Sequence, residues 1–338
     1  MKPLRFAVIG AGFWSRYQIA AWKELKNVEL VAICDKNSQS ALTAAQDFQI
    51  ATTYNTVEEL FANEKLDFVD IITDVESHEQ LTKAAAEKNI NIICQKPMAS
   101  SLSAATRMVE ICRKRNVKLF VHENFRWQAP VRAIKEAMNA GTIGRVFNAH
   151  VSFCSAFPVF ENQPFLAQLE HFILTDIGSH VLDICRFLFG EVKYLTCLTQ
   201  KVNKHIKGED VANVMMQMQN GCQCLARMSY ASVLEKESFP QTLIVVEGEK
   251  GSLNLTHDFC LKVTTTSGTT STLIQPKLYD WVDPDYSVVH SSIVDCNQDI
   301  LNGLRGGNCE TSAEDNLRTV ELVWSCYHSA TTKQTIKF

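Results

Sequence analysis

The chain has 338 residues, 46% hydrophobic and 21% charged, with a formal net charge of −4. That length exceeds one typical core and predicts two domains, and that charge gives no electrostatic case for nucleic acid or an anionic membrane as partner. No apolar run of 18 residues occurs, so no membrane-crossing helix is expected, and Met1-Lys2-Pro3 leads straight into a strand pattern, so no signal peptide is expected.

Twelve cysteines are scattered along the chain, many inside apolar runs (Cys34, Cys94, Cys185, Cys326). There a thiol serves as a small hydrophobe. The one close pair is Cys222-Gln223-Cys224, and no C-x-x-C occurs. Zinc and thioredoxin-like chemistry are therefore not expected, no metal site is assigned, and the chain reads as reduced and cytoplasmic.

In chain order, Leu4 to Lys36 comes first and matters most. Phe6-Ala7-Val8-Ile9 has the character of a buried strand. Gly10-Ala11-Gly12 follows, then a helical pattern through Ile19, Trp22 and Leu25, and a second apolar run from Val28 to Cys34 that ends on Asp35. This β-turn-α-β unit is the setting that a dinucleotide fingerprint requires. Gly10 permits the tight turn, Gly12 lets the backbone approach a pyrophosphate, and the helix N-terminus offers N–H groups to that anion. Phe13 and Trp14, next in the turn, are assigned to the cofactor with it. Asp35 stands where a carboxylate accepts hydrogen bonds from an adenosine ribose. It would repel a 2′-phosphate, favouring NAD over NADP, and Lys36 beside it softens that preference. The third glycine position is Ser15. The alternative is an ordinary glycine turn with Asp35 a solvated strand end.

Helices are predicted over 38–48, 56–63, 77–88 and 102–114, and strands over 67–72, 90–94 and 117–121. The alternation implies a parallel sheet with right-handed crossovers, a doubly wound domain of six strands that ends near Val121. A helix over 130–140 is broken by Gly141-Thr-Ile-Gly144. Strands then succeed one another at 145–157, 191–200, 211–219, 222–230, 241–247, 251–255 and 259–265. Such runs mean a large open, mainly antiparallel sheet. Helices are predicted at 176–189, near 290–304 and at 311–331. The fold class is thus α/β for 1–122, a Rossmann sheet, and α+β for 123–338.

Three constellations can carry chemistry. Gln95-Lys96-Pro97 follows the fifth strand, and open α/β sheets bind ligands at the carboxyl ends of their strands. A lysine there can bond a substrate hydroxyl; the alternative is a surface lysine at a strand-to-loop junction. In Asp176-Ile-Gly-Ser-His180-Val-Leu-Asp183, residues 176 and 180 lie one turn apart on one helix face, with Asp183 near it. A carboxylate beside an imidazole raises its proton affinity and holds its orientation, as a general base needs. The alternative is a packed helix histidine, with Asp183 supporting the helix. His122-Glu-Asn124-Phe-Arg126-Trp127, at the domain junction, suits a ligand wall or else an interdomain hydrogen-bond network. Thr73 to His78 follows the fourth strand and would line the nicotinamide half of the crevice, unless His78 is a helix N-terminal residue without a ligand. Phe153 to Phe165, rich in aromatics, is the expected seat of substrate selectivity.

These motifs, with Gly141-x-Ile-Gly144, Gly208-Glu-Asp210, Glu247-Gly-x-x-Gly251 and Thr311-Ser-Ala-Glu-Asp315, run in order from residue 4 to about 331. Together they resemble the glucose–fructose oxidoreductase / inositol dehydrogenase / MocA family. The resemblance implies an N-terminal Rossmann domain and a C-terminal domain whose open sheet often forms the interface of a homo-oligomer. It implies hydride transfer between NAD(P) and a hydroxyl carbon of a sugar, cyclitol or related polyol. It maps the family's catalytic lysine to Lys96 and its Asp…His pair to Asp176 and His180. Gln95 departs from the family's usual glutamate, and an amide can still bond the nicotinamide ribose. The expected enzyme is an NAD-dependent aldose dehydrogenase: Lys96 and His180 hold the anomeric hydroxyl, and Arg126 and Trp127 help bind the sugar. Two other readings stay open, an NAD-assisted glycoside hydrolase of the same family and a non-catalytic nucleotide sensor.

Overall fold

The computed structural model describes residues 2–338; Met1 lies outside the described residues. The chain divides into two compact units, Met1–Asn124 with Leu278–Val320, and Phe125–Lys277 with Glu321–Phe338.

In the first unit β1 (Leu4–Ile9), α1 (Ser15–Lys23), β2 (Val28–Cys34), α2 (Ser38–Phe48), β3 (Thr52–Tyr54), α3 (Val57–Asn63), β4 (Phe68–Ile71), α4 (Val75–Glu87), β5 (Asn91–Gln95), α5 (Leu102–Arg115) and β6 (Leu119–His122) alternate. The strands form one sheet in the order β3-β2-β1-β4-β5-β6, with every pair parallel. This is the Rossmann order, whose chain reversal beside β1 opens a crevice at the carboxyl ends of the strands. β4 and β6 are buried throughout, as strands covered on both faces must be. Phe6 and Phe68 stack at 4.7 Å between neighbouring strands, and the Trp22 ring leans on both. Asn37, Thr56 and Ser101 cap the helices that follow them, each accepting from N–H groups of the first turn.

The second unit begins with a 3-10 turn, Phe125–Trp127, and α6 (Ala129–Asn139). It continues with β7 (Val146–Cys154), α7 (Val159–Asn162), α8 (Ile173–Phe189), β8 (Val192–Gln200), β9 (Val211–Met218), β10 (Gln223–Ser229), β11 (Leu243–Gly248), β12 (Gly251–Thr256), β13 (Cys260–Thr265) and β14 (Gly268–Leu273). After α9 (Ser287–Leu304) and α10 (Ala313–Thr332) the chain ends in β15 (Ile336–Lys337). The nine-stranded sheet has the order β14-β13-β12-β11-β7-β10-β9-β8-β15. Only β7 and β10 pair in parallel, so the sheet is mixed and mainly antiparallel. Its inward residues alternate along β9, and α8 lies against β7, β9 and β10 with Ile177, Val181, Ile184 and Leu188 buried.

One assignment is corrected. The expected break after residue 122 falls beside the observed one after Asn124, but Leu278–Val320, expected in the C-terminal domain, joins the first unit. The reason is long-range pairing that no local pattern reveals. α9 packs on α1, His290 stacks on Tyr17 at 4.1 Å, and Lys118 donates to the Gly303 carbonyl at 2.6 Å.

All twelve cysteines are thiols outside any disulfide. Burial pushes Cys34 and Cys112 up to about 12, which makes them inert core residues rather than nucleophiles. Among the described residues no helix is long and apolar enough to cross a membrane, and no group of three His, Cys, Asp or Glu side chains could hold a metal ion.

Candidate active site

The glycine turn follows β1. Gly10 has φ +106°, and a Cβ there would lie 2.4 Å from the Ile72 carbonyl oxygen at the end of β4. Only glycine fits. A Cβ on Gly12 meets no atom within 4 Å, so the space above the turn is open. Ser15 Oγ donates to the Gly12 carbonyl at 2.7 Å, closing the turn that leads into α1. Phe13 stands 45% exposed at the tip, edge-on to Trp14, with the Arg16 guanidinium 5.0 Å from its ring centre.

Asp35 ties this turn to β2. Its Oδ2 accepts the Ala11 N–H and its Oδ1 the Asn37 N–H, both at 2.7 Å. A carboxylate has about four lone-pair sites, so two remain for a ligand. Lys36 is exposed and lies 3.9 Å from Asp74. Open space, a helix N-terminus and an acid at the strand end fit a dinucleotide. Asp35→Ala is therefore expected to weaken NAD binding about 10–100-fold, the value of charge-assisted hydrogen bonds, while raising relative use of NADP. Titration calorimetry with both dinucleotides checks this; an unchanged NAD affinity would remove Asp35 from the site.

Thr73 and His78 follow β4. The imidazole of His78 is buried, with Nδ1 3.2 Å from the Pro97 and Met98 carbonyls and Nε2 3.3 Å from the Thr73 carbonyl. Burial pushes its pKa down, so the neutral ring has one N–H to donate. It braces the Thr73 turn and the Lys96-Pro97-Met98 turn, filling the space between them itself. Thr73 is half-buried and accepts the Ser77 hydroxyl at 2.7 Å.

Lys96 leaves the end of β5, half-buried, and precedes a cis peptide bond to Pro97. Beneath it runs a polar chain unforeseen from the sequence. Asp70, in β4 and 0% exposed, accepts Trp22 Nε1 and, at both oxygens, Gln18 Nε2, all at 2.8 Å. Gln18 Oε1 accepts Gln95 Nε2 at 2.8 Å, and Gln95 Oε1 accepts the Lys96 N–H at 2.7 Å. Burial pushes Asp70 up to about 7. The overlooked signal was a carboxylate inside the otherwise apolar run Phe68–Ile72.

In the second unit Asp176 falls in the first turn of α8, and His180 one turn on. His180 is 3% exposed and lies flat against Phe125, centroids 3.7 Å apart and planes 7° from parallel. That stack fixes the imidazole plane. Asp176 accepts the Tyr230 hydroxyl at 3.3 Å. Burial first, and then the neighbouring carboxylate, raise the Tyr230 pKa, keeping the phenol a donor. Phe172 stacks on Tyr230 at 5.7 Å, and Phe153 meets the same ring edge-on. Phe153 belongs to the stretch expected to set selectivity. Tyr230 was missed because 54 residues separate it from its partner.

The remaining candidates are engaged within their own units. Arg126 forks onto Asp183 through Nε at 2.7 Å and Nη2 at 2.5 Å, both residues buried. This buried bidentate pair anchors the Phe125–Trp127 turn to α8. The Trp127 ring is covered by the Arg132 guanidinium at 3.4 Å. Asn124 Nδ2 donates to Ser292 Oγ at 2.7 Å and to the Val289 carbonyl at 3.2 Å, both on α9.

The first unit is that of a dinucleotide-dependent oxidoreductase. Residues 4–123 match the Gfo/Idh/MocA oxidoreductase family, NAD-binding Rossmann fold, and residues 131–254 match the Gfo/Idh/MocA C-terminal domain. The chain belongs to the Gfo/Idh/MocA family of oxidoreductases. It is 41% identical over 337 residues to a D-apiose dehydrogenase of Rhizobium rhizogenes, covering 99% of this chain and 98% of the relative. It is 41% identical over 338 residues to a D-apiose dehydrogenase of Paraburkholderia graminis, covering 100% of this chain and 90% of the relative. A solved oxidoreductase from Agrobacterium radiobacter, in complex with NAD+, L-tartaric acid and magnesium, superposes with a TM-score of 0.97. That structure is 41% identical and covers 99% of this chain and 98% of its own.

Proposed function

We propose that this protein is an NAD-dependent sugar dehydrogenase that oxidises D-apiose, or a closely similar aldose, at its anomeric carbon. The observation that carries the reading is the likeness, over essentially the whole chain, to two D-apiose dehydrogenases.

In this reading Gly10, Gly12 and the start of α1 hold the diphosphate, Asp35 holds the adenosine ribose, and Thr73 and Gln95 line the nicotinamide side. Phe13 and Trp14 flank the turn, and His78 acts by bracing rather than by touching the cofactor. Bound NAD supplies the hydride acceptor. Lys96 donates a hydrogen bond to the anomeric oxygen and stabilises the charge that grows on it. His180, held in plane by Phe125 and served by Asp176, takes the hydroxyl proton as general base. Loss of that proton and of hydride from C1 converts the cyclic aldose to an aldonolactone. Phe153 and Phe172, both buried, pack on the Tyr230 ring and hold its hydroxyl toward Asp176.

The purified protein is expected to reduce NAD when given D-apiose, with one NADH per sugar oxidised in an assay at 340 nm. Turnover with another sugar of a panel and none with D-apiose would overturn the substrate; turnover without NADH would overturn the dehydrogenase reading.

A homo-oligomer formed through the nine-stranded sheet belongs to the same proposal. Met215, Leu225 and Val245 lie in one cross-strand row on the sheet face opposite the buried residues, and Leu198 and Met215 are 58% and 66% exposed. A cytoplasmic setting is supported by twelve thiols, none of them in a disulfide.

A further inference from the structure

We propose that Asp70 is a positioning residue for Lys96, acting by setting the hydrogen-bond direction of the buried chain Gln18–Gln95 that ends on the Lys96 backbone N–H. The inference rests on the assignment of Lys96 to the reaction. Its geometry belongs to the first unit alone.

An ionised carboxylate only accepts hydrogen bonds. Asp70 therefore turns the Gln18 amide nitrogen toward itself, at 2.8 Å from both oxygens. Gln18, 1% exposed, has its Oε1 left to face β5, and that oxygen needs a donor. Gln95 supplies one through Nε2 at 2.8 Å, which in turn leaves Gln95 Oε1 to accept the Lys96 N–H at 2.7 Å. Every link donates toward the carboxylate, from Lys96 through Gln95 and Gln18 to Asp70. Trp22, one turn beyond Gln18 on the same face of α1, closes the acceptor's remaining side. The chain thus holds the first residue after β5 in one orientation, and with it the root of the Lys96 side chain.

Such a chain requires an amide at position 95. A glutamate there would set its oxygens against Gln18 Oε1, and reversing Gln18 would only move the conflict to Asp70. Asp70→Asn resolves the conflict. The amide nitrogen it introduces can donate to Gln18 Oε1, while the remaining oxygen keeps the Trp22 N–H. Gln18 is then free to turn its nitrogen to a carboxylate at position 95, which still accepts from Lys96. The chain then runs in reverse with a donor facing an acceptor at every link.

The test is a double-mutant cycle of Gln95→Glu, Asp70→Asn and the pair, measured as Tm, kcat and KM at pH 8.5, where Asp70 is ionised. Gln95→Glu alone is expected to lower Tm by about 3–10 °C, the effect of one buried unsatisfied polar contact. It should also lower kcat about tenfold or more with a smaller change in KM. Adding Asp70→Asn should restore most of both. Additive effects, or a Gln95→Glu variant with wild-type Tm and kcat, would overturn the proposal. Lys96→Ala is measured in parallel. If that variant is active, the failure lies in the role of Lys96; if it is inactive while the cycle shows no coupling, the failure lies in the chain through Asp70.

Discussion

Replacing Lys96 by alanine is expected to lower kcat by at least about 10²-fold, the contribution of a positioned acid–base group, while NAD binding stays largely intact. Lys96 stands at the carboxyl end of β5, where a Rossmann crevice opens, and its backbone is pinned by Gln95. The side chain is half-buried at a strand end rather than in the core, so its loss should leave Tm nearly unchanged. Lys96→Met separates packing from charge, because it keeps most of the apolar stem and removes the ammonium. Both variants should be equally impaired in single-turnover NADH formation and near normal in calorimetric titration with NAD. Near-full activity in either would take Lys96 out of the reaction.

The same residues show what a sequence displays. α2 lies over 38–48 as expected, and the glycine turn and Asp35 meet as the fingerprint spacing implies, because both depend on neighbours in the chain. β3 has three residues and β14 is exposed along its whole length, so neither has an apolar pattern to betray it. Asp176 and His180 share a helix face by spacing alone, yet Asp183, on the same face by the same arithmetic, is taken by Arg126 from the preceding turn. Spacing defines a face; the partner that meets it is a tertiary fact. Arg126 stands out in the sequence as a cation in a polar, aromatic stretch, and its buried fork onto Asp183 is a partner that no local pattern displays. Tyr230 and Phe125 were invisible as the supports of Asp176 and His180 for the same reason. The placement of α9 beside α1 came from aromatic stacking across more than half the chain.

The two glycines of the turn should separate folding from binding. Gly10 combines φ +106° with a Cβ position 2.4 Å from a backbone carbonyl, so Gly10→Ala meets both torsional strain and a clash that no rotamer relieves. Strain of this kind alone costs about 1–3 kcal/mol, and the ligand-free protein should lose at least about 5 °C in Tm. Gly12 has no positive φ and no atom near its Cβ position, so Gly12→Val should leave the ligand-free Tm within about 1 °C of wild type. The same valine would fill the space above the turn and raise the NAD dissociation constant at least about 100-fold, equivalent to roughly 2.8 kcal/mol. Calorimetry without and with NAD distinguishes the two: Gly10→Ala shifts the first transition, whereas Gly12→Val abolishes only the stabilisation that NAD confers. Should Gly12→Val bind NAD like the wild type, the diphosphate cannot lie over this turn, and the assignment of Asp35 and the start of α1 to the cofactor falls with it.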